Sequence, residues 1–236
     1  MLEAALRDLI LELERDSINQ HIHSMGDRST HTILNAIEAA SASLDGRRQI
    51  RITLCYLGLV QDDDFERFAE LDVVAGLTPQ GHGGLVDGAH YTPSEERFNM
   101  LFRVQPLLHD GARVTYYSDI VSELEWQTHR ANPCFGMDIG DSRIEPEWGQ
   151  DAPVRPPTSE RLDRENLVIG YTREAAYQLG LQCKLGSIEV GKIADLVVPD
   201  RNLFEVAAQQ IKSVLPDAVI MDDAIVSGSL ENFAAQ

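Results

Sequence analysis

The alternation of helical and strand patterns constrains the fold of this chain more than any other feature. An amphipathic helix pattern covers residues 2–13 of the 236-residue chain. Strand patterns follow at residues 18–23, 50–57, 73–75 and 112–117. Helical patterns separate them at residues 32–42, 63–71 and 97–109. Such alternation favours a parallel sheet with covering helices, so the sequence predicts an α/β fold with about four strand-helix units.

The last quarter of the chain has a different character. A proline-rich loop at residues 146–157 and a helical pattern at residues 161–179 lead into it. Four short β patterns then occur at residues 188–190, 194–198, 218–221 and 224–226. We therefore predict two domains, an α/β part over residues 1–180 and a β-rich segment over residues 181–236.

Composition and charge exclude several classes of partner. The formal charge is −18, and a surface this acidic repels nucleic acid and anionic lipid. No apolar run approaches the length of a membrane span, and the first residues predict a charged helix rather than a signal peptide. The three cysteines show no paired spacing: Cys55, Cys134 and Cys183. Their scattered positions argue against a disulfide framework or a structural zinc site, and predict a reducing, cytoplasmic location.

Two histidines occupy one face of the first predicted strand. His21 and His23 are two residues apart, and side chains alternate along a strand, so both imidazoles point to the same side. A turn at residues 24–27 follows directly. At least one of the pair is a candidate metal ligand, since imidazole is a common ligand of zinc. The alternative is a pair of polar side chains at a sheet edge.

Asp119 follows the last predicted strand of the α/β part. A carboxylate at the carboxyl end of a parallel strand lies where α/β barrels place catalytic groups. It could bind a metal or take a proton from a bound water. The alternative is an aspartate that caps the next helix. Tyr116 and Tyr117, just before it, are assigned to packing within the strand.

The remaining histidines carry weaker signals. His82 lies in a glycine-rich stretch at residues 81–88, where it could reach a substrate or simply be solvated. The others have no motif around them and are predicted to lie on the surface: His31, His90, His109 and His129.

Four segments of the chain carry motifs of one known protein family. Residues 21–28 read His-Ile-His-Ser-Met-Gly-Asp-Arg and are similar to the stretch His-x-His-Ala-x-Gly-Asp-Arg. Residues 132–137 are similar to an Asn-Pro-Phe-x-Gly segment, and residues 171–180 match a helix that precedes the tail. Residues 186–198 match Gly-Ser-x-x-x-Gly-Lys-x-Ala-Asp-Leu, the most specific of these motifs. In this order, the segments resemble the amidohydrolase superfamily and its branch of N-substituted formamide deformylase-like hydrolases.

The resemblance implies a fold and a chemistry. It covers the C-terminal half of a TIM-type (β/α)8 barrel and the short strands of the family's small composite β-domain. The inherited activity is hydrolysis of C–N bonds in amides or N-substituted formamides by water bound to a divalent metal, zinc above all. His23 and Asp119 match metal ligands, and Asp119 also matches the group that moves the proton. His21, His82 and Tyr56 are further candidates for residues that contact a substrate or line the site.

One departure from the family pattern falls on the site itself. Relatives end the next strand in Arg-Ile-Thr-Leu-Thr-His, where the histidine is a ligand, but residues 51–56 here end in Tyr56. Two ligands are fewer than the three protein ligands of a typical catalytic zinc. Two hypotheses follow: part of a working hydrolase with a small amide substrate, or an inactive relative that binds other molecules. A half barrel also leaves open sheet edges, which predicts a homodimer or higher oligomer.

Overall fold

The computed structural model of the chain describes residues 2–83, 94–119, 130–149 and 151–231. The elements of its first part, in chain order, are α1 (Leu2–Arg15), β1 (Gln20–Ser24), α2 (Asp27–Ser43), β2 (Ile52–Tyr56), α3 (Phe65–Glu70), β3 (Val73–Leu77), α4 (Glu95–Asn99), α5 (Gln105–His109) and β4 (Val114–Tyr116). The second part contains α6 (Pro133–Ser142), α7 (Arg164–Tyr171), α8 (Arg173–Gln178), β5 (Leu196–Pro199), β6 (Pro216–Met221) and β7 (Ala224–Gly228). Short 3-10 turns occupy the connections. No described helix is both long and apolar enough to cross a membrane.

The first four strands form one parallel sheet in the order β1-β2-β3-β4. One row of paired residues crosses its helix-covered face and lies in or against the main core: Ile22, Leu54, Ala75 and Val114. The neighbouring row points to the opposite face: His23, Cys55, Gly76 and Thr115. This second face is the one that would line the interior of a barrel. The α/β fold with four strand-helix units is therefore confirmed.

The amino ends of the strands are held together by one tyrosine of α8. The guanidinium carbons of Arg51 and Arg113 lie 4.4 and 3.9 Å from the centre of the Tyr177 ring. The Tyr177 hydroxyl is 3.1 Å from a carboxylate oxygen of Asp72. Each of these three partners directly precedes a strand, so α8 ties β2, β3 and β4 together at the end opposite to the candidate site.

Two predicted helices are each divided in the structure. The pattern at residues 97–109 becomes α4 and α5, because Phe102 between them takes a left-handed φ of 56°. The pattern at residues 161–179 becomes α7 and α8, which are separated at Thr172 with φ −120° and ψ −83°. The Thr172 hydroxyl donates to the carbonyl of Val168 at 2.6 Å. The Phe102 amide donates to the carbonyl of Gly58 at 2.9 Å, a contact that helical spacing does not encode.

Helix α6 was not among the predicted elements, although its start carries two local signals. Asn132 caps it by accepting a hydrogen bond from the Cys134 amide at 2.9 Å, and Pro133 is its first residue. Its Asp138 is buried and accepts a hydrogen bond from the amide of Lys212 at 3.0 Å. This contact joins α6 to the segment that leads into β6.

The tail forms a three-stranded antiparallel sheet in the order β5-β6-β7. The predicted strand at residues 188–190 is wrong. The Lys192 amide donates to the Glu189 carbonyl at 3.2 Å, and Gly191 takes a φ of 95°. These contacts fold the segment into a turn, and its side chains Ile188 and Val190 are exposed. The domain boundary near residue 180 stays a prediction.

Candidate functional site

His23, Tyr56 and Asp119 come together at the carboxyl ends of β1, β2 and β4. The Tyr56 hydroxyl donates to a carboxylate oxygen of Asp119 at 2.5 Å. The ring centres of His23 and Tyr56 are 4.1 Å apart. The structure places the two predicted metal ligands, His23 and Asp119, at the same end of the sheet, with Tyr56 between them. Their roles stay predictions.

Strained backbone shapes this end of the sheet. Tyr56, Leu57 and Asp119 all adopt left-handed φ angles, of 73°, 48° and 53°. Residues other than glycine seldom take such angles, and the strain concentrates at functional sites. The Leu57 amide donates to the carbonyl of Ser24 at 2.9 Å, which turns the chain after β2 back toward β1.

The Tyr117 hydroxyl holds the backbone of Tyr56 in position. Its hydroxyl accepts a hydrogen bond from the Tyr56 amide at 3.1 Å and donates one to the Gly76 carbonyl at 3.2 Å. A Cβ at position 76 would lie 3.1 Å from the Tyr117 ring, so glycine makes room for this crossing. Assigning Tyr117 to strand packing missed this role, because its two partners come from other strands.

The charges of the site follow from these contacts. The Asp119 carboxylate, aided by burial, raises the pKa of the Tyr56 phenol to about 12. Tyr56 is therefore protonated at neutral pH and donates to a negative carboxylate. No lysine or arginine of the described ranges forms an ion pair with Asp119. Cys55 donates to the carbonyl of Ile22 at 3.3 Å, and burial raises the pKa of its thiol.

His21 lies on the same face as His23 but nearer the amino end of β1. Its Nδ1 atom is 3.4 Å from the side-chain amide nitrogen of Gln178, which also donates to the hydroxyl of Thr53 at 3.3 Å. Its ring centre is 6.1 Å from that of Tyr117. Partial burial lowers the pKa of His21. It borders the site through Tyr117, and its contact with α8 explains its position equally well.

His82 is buried rather than solvated, which corrects the expectation of an exposed loop histidine. Residues 79–83 form a 3-10 turn after β3, and the His82 side chain has no exposed surface. Its ring stacks on Phe102 at 6.0 Å between centres. Burial, and next the charges of Arg143 and Arg155, hold its pKa well below the ordinary value. No hydrogen bond within the described ranges joins it to Asp119 or Tyr56, and its role stays a prediction.

The other histidines behave more simply. His31 and His109 are exposed as predicted, although His31 also pairs with the buried carboxylate of Asp64 at 3.0 Å. The predictions for His90 and His129 fall outside the described residues.

These residues do not make a complete metal centre by themselves. Within the ranges that the structure describes, no group of three or more His, Cys, Asp or Glu side chains could hold a metal ion. Of the residues that match family ligands, His23 and Asp119 lie in the described part of the chain, and the Tyr56 hydroxyl already occupies one oxygen of Asp119. A catalytic zinc normally takes three protein ligands. The donor set therefore does not fit a catalytic metal without further ligands.

A parallel sheet with polar side chains at its carboxyl ends defines the class: half of an α/β barrel, with a candidate site at the carboxyl ends of its strands. A sequence model of a protein family, described as "Amidohydrolase family", matches residues 1–227 of this chain. The chain therefore belongs to the amidohydrolase family, as the sequence motifs predicted.

Curated relatives are longer than this chain. Protein LONG AFTER FAR-RED 3 of Arabidopsis thaliana is 26% identical over 212 residues, which are 88% of this chain and 34% of that protein. N-substituted formamide deformylase of Arthrobacter pascens is 25% identical over 214 residues, 90% of this chain and 37% of that protein. The chain thus spans about a third of the length of these relatives.

Solved structures agree on the fold. An uncharacterized metal-dependent hydrolase from Pyrococcus furiosus superposes with a TM-score of 0.64 at 24% identity, covering 84% of this chain and 38% of that one. A prolidase complexed with N-methylphosphonate-L-proline gives a TM-score of 0.64 at 19% identity, and the match covers 96% of this chain and 49% of the prolidase chain. The chain has the fold of half of such a barrel, as predicted.

Proposed function

We propose that the chain supplies one half of the site of a hydrolase that cleaves the C–N bond of a small amide or N-substituted formamide. The observation that supports the proposal is the convergence of His23 and Asp119 on Tyr56 at the carboxyl ends of the strands. The family chemistry needs a divalent metal, with zinc the first candidate. Because the donor set here is incomplete, its remaining ligands would come from polypeptide beyond the described residues.

The side chains of this half have separable roles in the proposal. The Tyr56 hydroxyl binds one carboxylate oxygen of Asp119. The other oxygen is suited to accept the proton released when water attacks a carbonyl. His23 stands beside it on the open face of the sheet, next to the Tyr56 ring. Tyr56, held by Tyr117, fixes the distance between the two. The name of the deformylase relative suggests formamides as the first substrates to try.

A second candidate is a binding protein without hydrolytic activity. The hydrogen bond of 2.5 Å between Tyr56 and Asp119 favours it, because a phenol stands where the family has an imidazole ligand. In this case the same cleft would still hold a small molecule. Neither candidate involves nucleic acid or a membrane, and both retain the expectation of a cytoplasmic location.

Metal content and turnover distinguish the two candidates. After dialysis against a chelator we expect less than one zinc per chain, and with added zinc or manganese little turnover of N-formyl amines and N-acyl amides. The reason is the two-donor site, since activation of water depends on the full ligand set. Both quantities are measured on the wild-type chain and on Asp119→Ala, with the exposed Asp45→Ala as a matched control.

The outcomes separate clearly. Slow turnover that disappears in Asp119→Ala but not in Asp45→Ala supports the hydrolase. Complete absence of turnover, together with measurable binding of an amide, supports the binding protein. About one tightly held zinc per wild-type chain would contradict the incomplete site.

We also propose that the chain associates with itself. Strands β1 and β4 are the edges of the described sheet, and α1 packs against α2. Unpaired edges favour association, and two-fold dimers are the commonest oligomers. Light scattering over a concentration series is expected to give at least a dimer mass. The large negative charge opposes association, so the mass should increase when salt shortens the screening length to about 10 Å or less. A monomer at every concentration and salt level contradicts the proposal. It would indicate that another part of the same chain covers an edge of the sheet.

A further inference from the structure

Two tyrosine rings and two imidazole rings lie close together near Asp119. The rings of Tyr56 and Tyr117 are nearly perpendicular, at 81°, with centres 6.4 Å apart. His23 lies against Tyr56 and His21 lies near Tyr117, at 4.1 and 6.1 Å between ring centres. Four rings, from β1, β2 and the residue after β4, therefore border one corner of the open face of the sheet.

The corner is rigid on the side of the tyrosines. Tyr117 is held by hydrogen bonds to the Tyr56 amide and the Gly76 carbonyl, and Tyr56 by its bond to Asp119. Both rings are thus fixed before any ligand arrives. A preformed pair of walls lowers the entropy that binding costs.

The charge at this corner is negative and uncompensated by a cation of the described ranges. Asp119 accepts a hydrogen bond from a neutral phenol and forms no ion pair with a described lysine or arginine. The net charge of −18 adds a long-range field that attracts cations. One carboxylate and two fixed phenol rings suit a cation that presents carbon-bound hydrogens, since such ions bind the faces of aromatic rings.

We propose that the corner formed by Tyr56, Tyr117 and Asp119 binds an organic cation, a substituted ammonium group carried by a small molecule. The ammonium group would lie against the tyrosine rings with Asp119 as its counter-ion, and the histidines would border it. The proposal rests on the proposed small-molecule site, but on neither a metal nor hydrolysis. It gives the ligand of that site a positively charged end.

A pair of nearly identical molecules tests the role of charge. Choline and 3,3-dimethylbutan-1-ol have the same shape, but choline carries a quaternary nitrogen where the alcohol carries carbon. Calorimetric titration of the full chain at pH 8, above the ordinary range of imidazole titration, and in 0.1 M sodium chloride measures both affinities. We expect choline to bind at least about tenfold more tightly than the alcohol. Equal affinities, or no binding of either, overturn the proposal.

Two variants locate the binding. Asp119→Asn removes the charge, and Tyr56→Leu removes one wall; each is expected to weaken choline binding about tenfold. The exposed Asp45→Asn is the matched control and should leave the affinity unchanged. Choline binding that survives Asp119→Asn places the cation elsewhere and overturns the proposal, even if Tyr56→Leu fails to fold. If choline binds as expected while no amide is cleaved or bound, the hydrolase proposal fails and this one stands.

Discussion

Replacing Tyr56 with histidine is expected to raise the affinity of the chain for Zn²⁺ by about a hundredfold. The substitution adds a third imidazole or carboxylate donor beside His23 and Asp119 and removes the phenol that occupies an Asp119 oxygen. Three protein donors are the usual number at a catalytic zinc. Histidine is also among the residues that tolerate a left-handed backbone, which position 56 requires at a φ of 73°. Competition with a coloured zinc chelator measures the change.

Two controls make this result specific. Tyr56→Phe releases Asp119 without adding a donor, and it should improve zinc binding far less than Tyr56→His. Adding His23→Ala to Tyr56→His should return the affinity to the wild-type level. If Tyr56→His gives no gain, then His23 and Asp119 do not face a common metal position, and the assignment of both as ligands is wrong.

A buried carboxylate is expected to make folding stability depend on pH. Burial raises the pKa of Asp138 to about 6. A carboxyl group that binds its proton more tightly when folded stabilises the fold at low pH, and this contribution disappears as pH rises through the folded pKa. Between pH 4.5 and 7.5 the wild-type chain should therefore lose about 2 kcal/mol from this group, since each unit of pKa shift corresponds to about 1.4 kcal/mol.

Asp138→Asn isolates this term. The variant should not lose this stability as the pH rises. Its free energy of unfolding minus that of the wild type should therefore increase by about 2 kcal/mol between pH 4.5 and 7.5. Urea titrations at several pH values measure both free energies. The asparagine oxygen can still accept the Lys212 amide. Asp16→Asn, at an exposed position, controls for net charge. A constant difference between Asp138→Asn and wild type across this range contradicts the prediction.

The sheet was predictable because its signals are local and periodic. Alternation along β1 and β2 separates Ile22 and Leu54 from His23 and Cys55, and the structure places these pairs on opposite faces. The divided helices were not predictable in this way. The left-handed angle at Phe102 accompanies a hydrogen bond from its amide to the distant carbonyl of Gly58, and no periodic pattern marks the break at Thr172.

The candidate site was predictable only in part. The positions of His23, Tyr56 and Asp119 followed from motif matches, because each lies at or just after a strand end. The role of Tyr117 did not, since its hydroxyl partners belong to β2 and β3 and no spacing in the sequence connects them. The burial of His82 was missed for a related reason. Its neighbours Phe102, Arg143 and Arg155 come from three distant segments.

The cluster around Tyr177 separates the parts of the molecule that can change from those that cannot. Arg51, Asp72 and Arg113 meet on this one ring at the amino ends of the strands, remote from His23, Tyr56 and Asp119. We therefore expect substitutions at the opposite ends of the same strands to leave the contacts around Tyr177 intact. A family ligand can be replaced by Tyr56 under these conditions while the fold persists. The same separation makes this chain a scaffold on which a new binding site could be selected by varying the carboxyl ends alone.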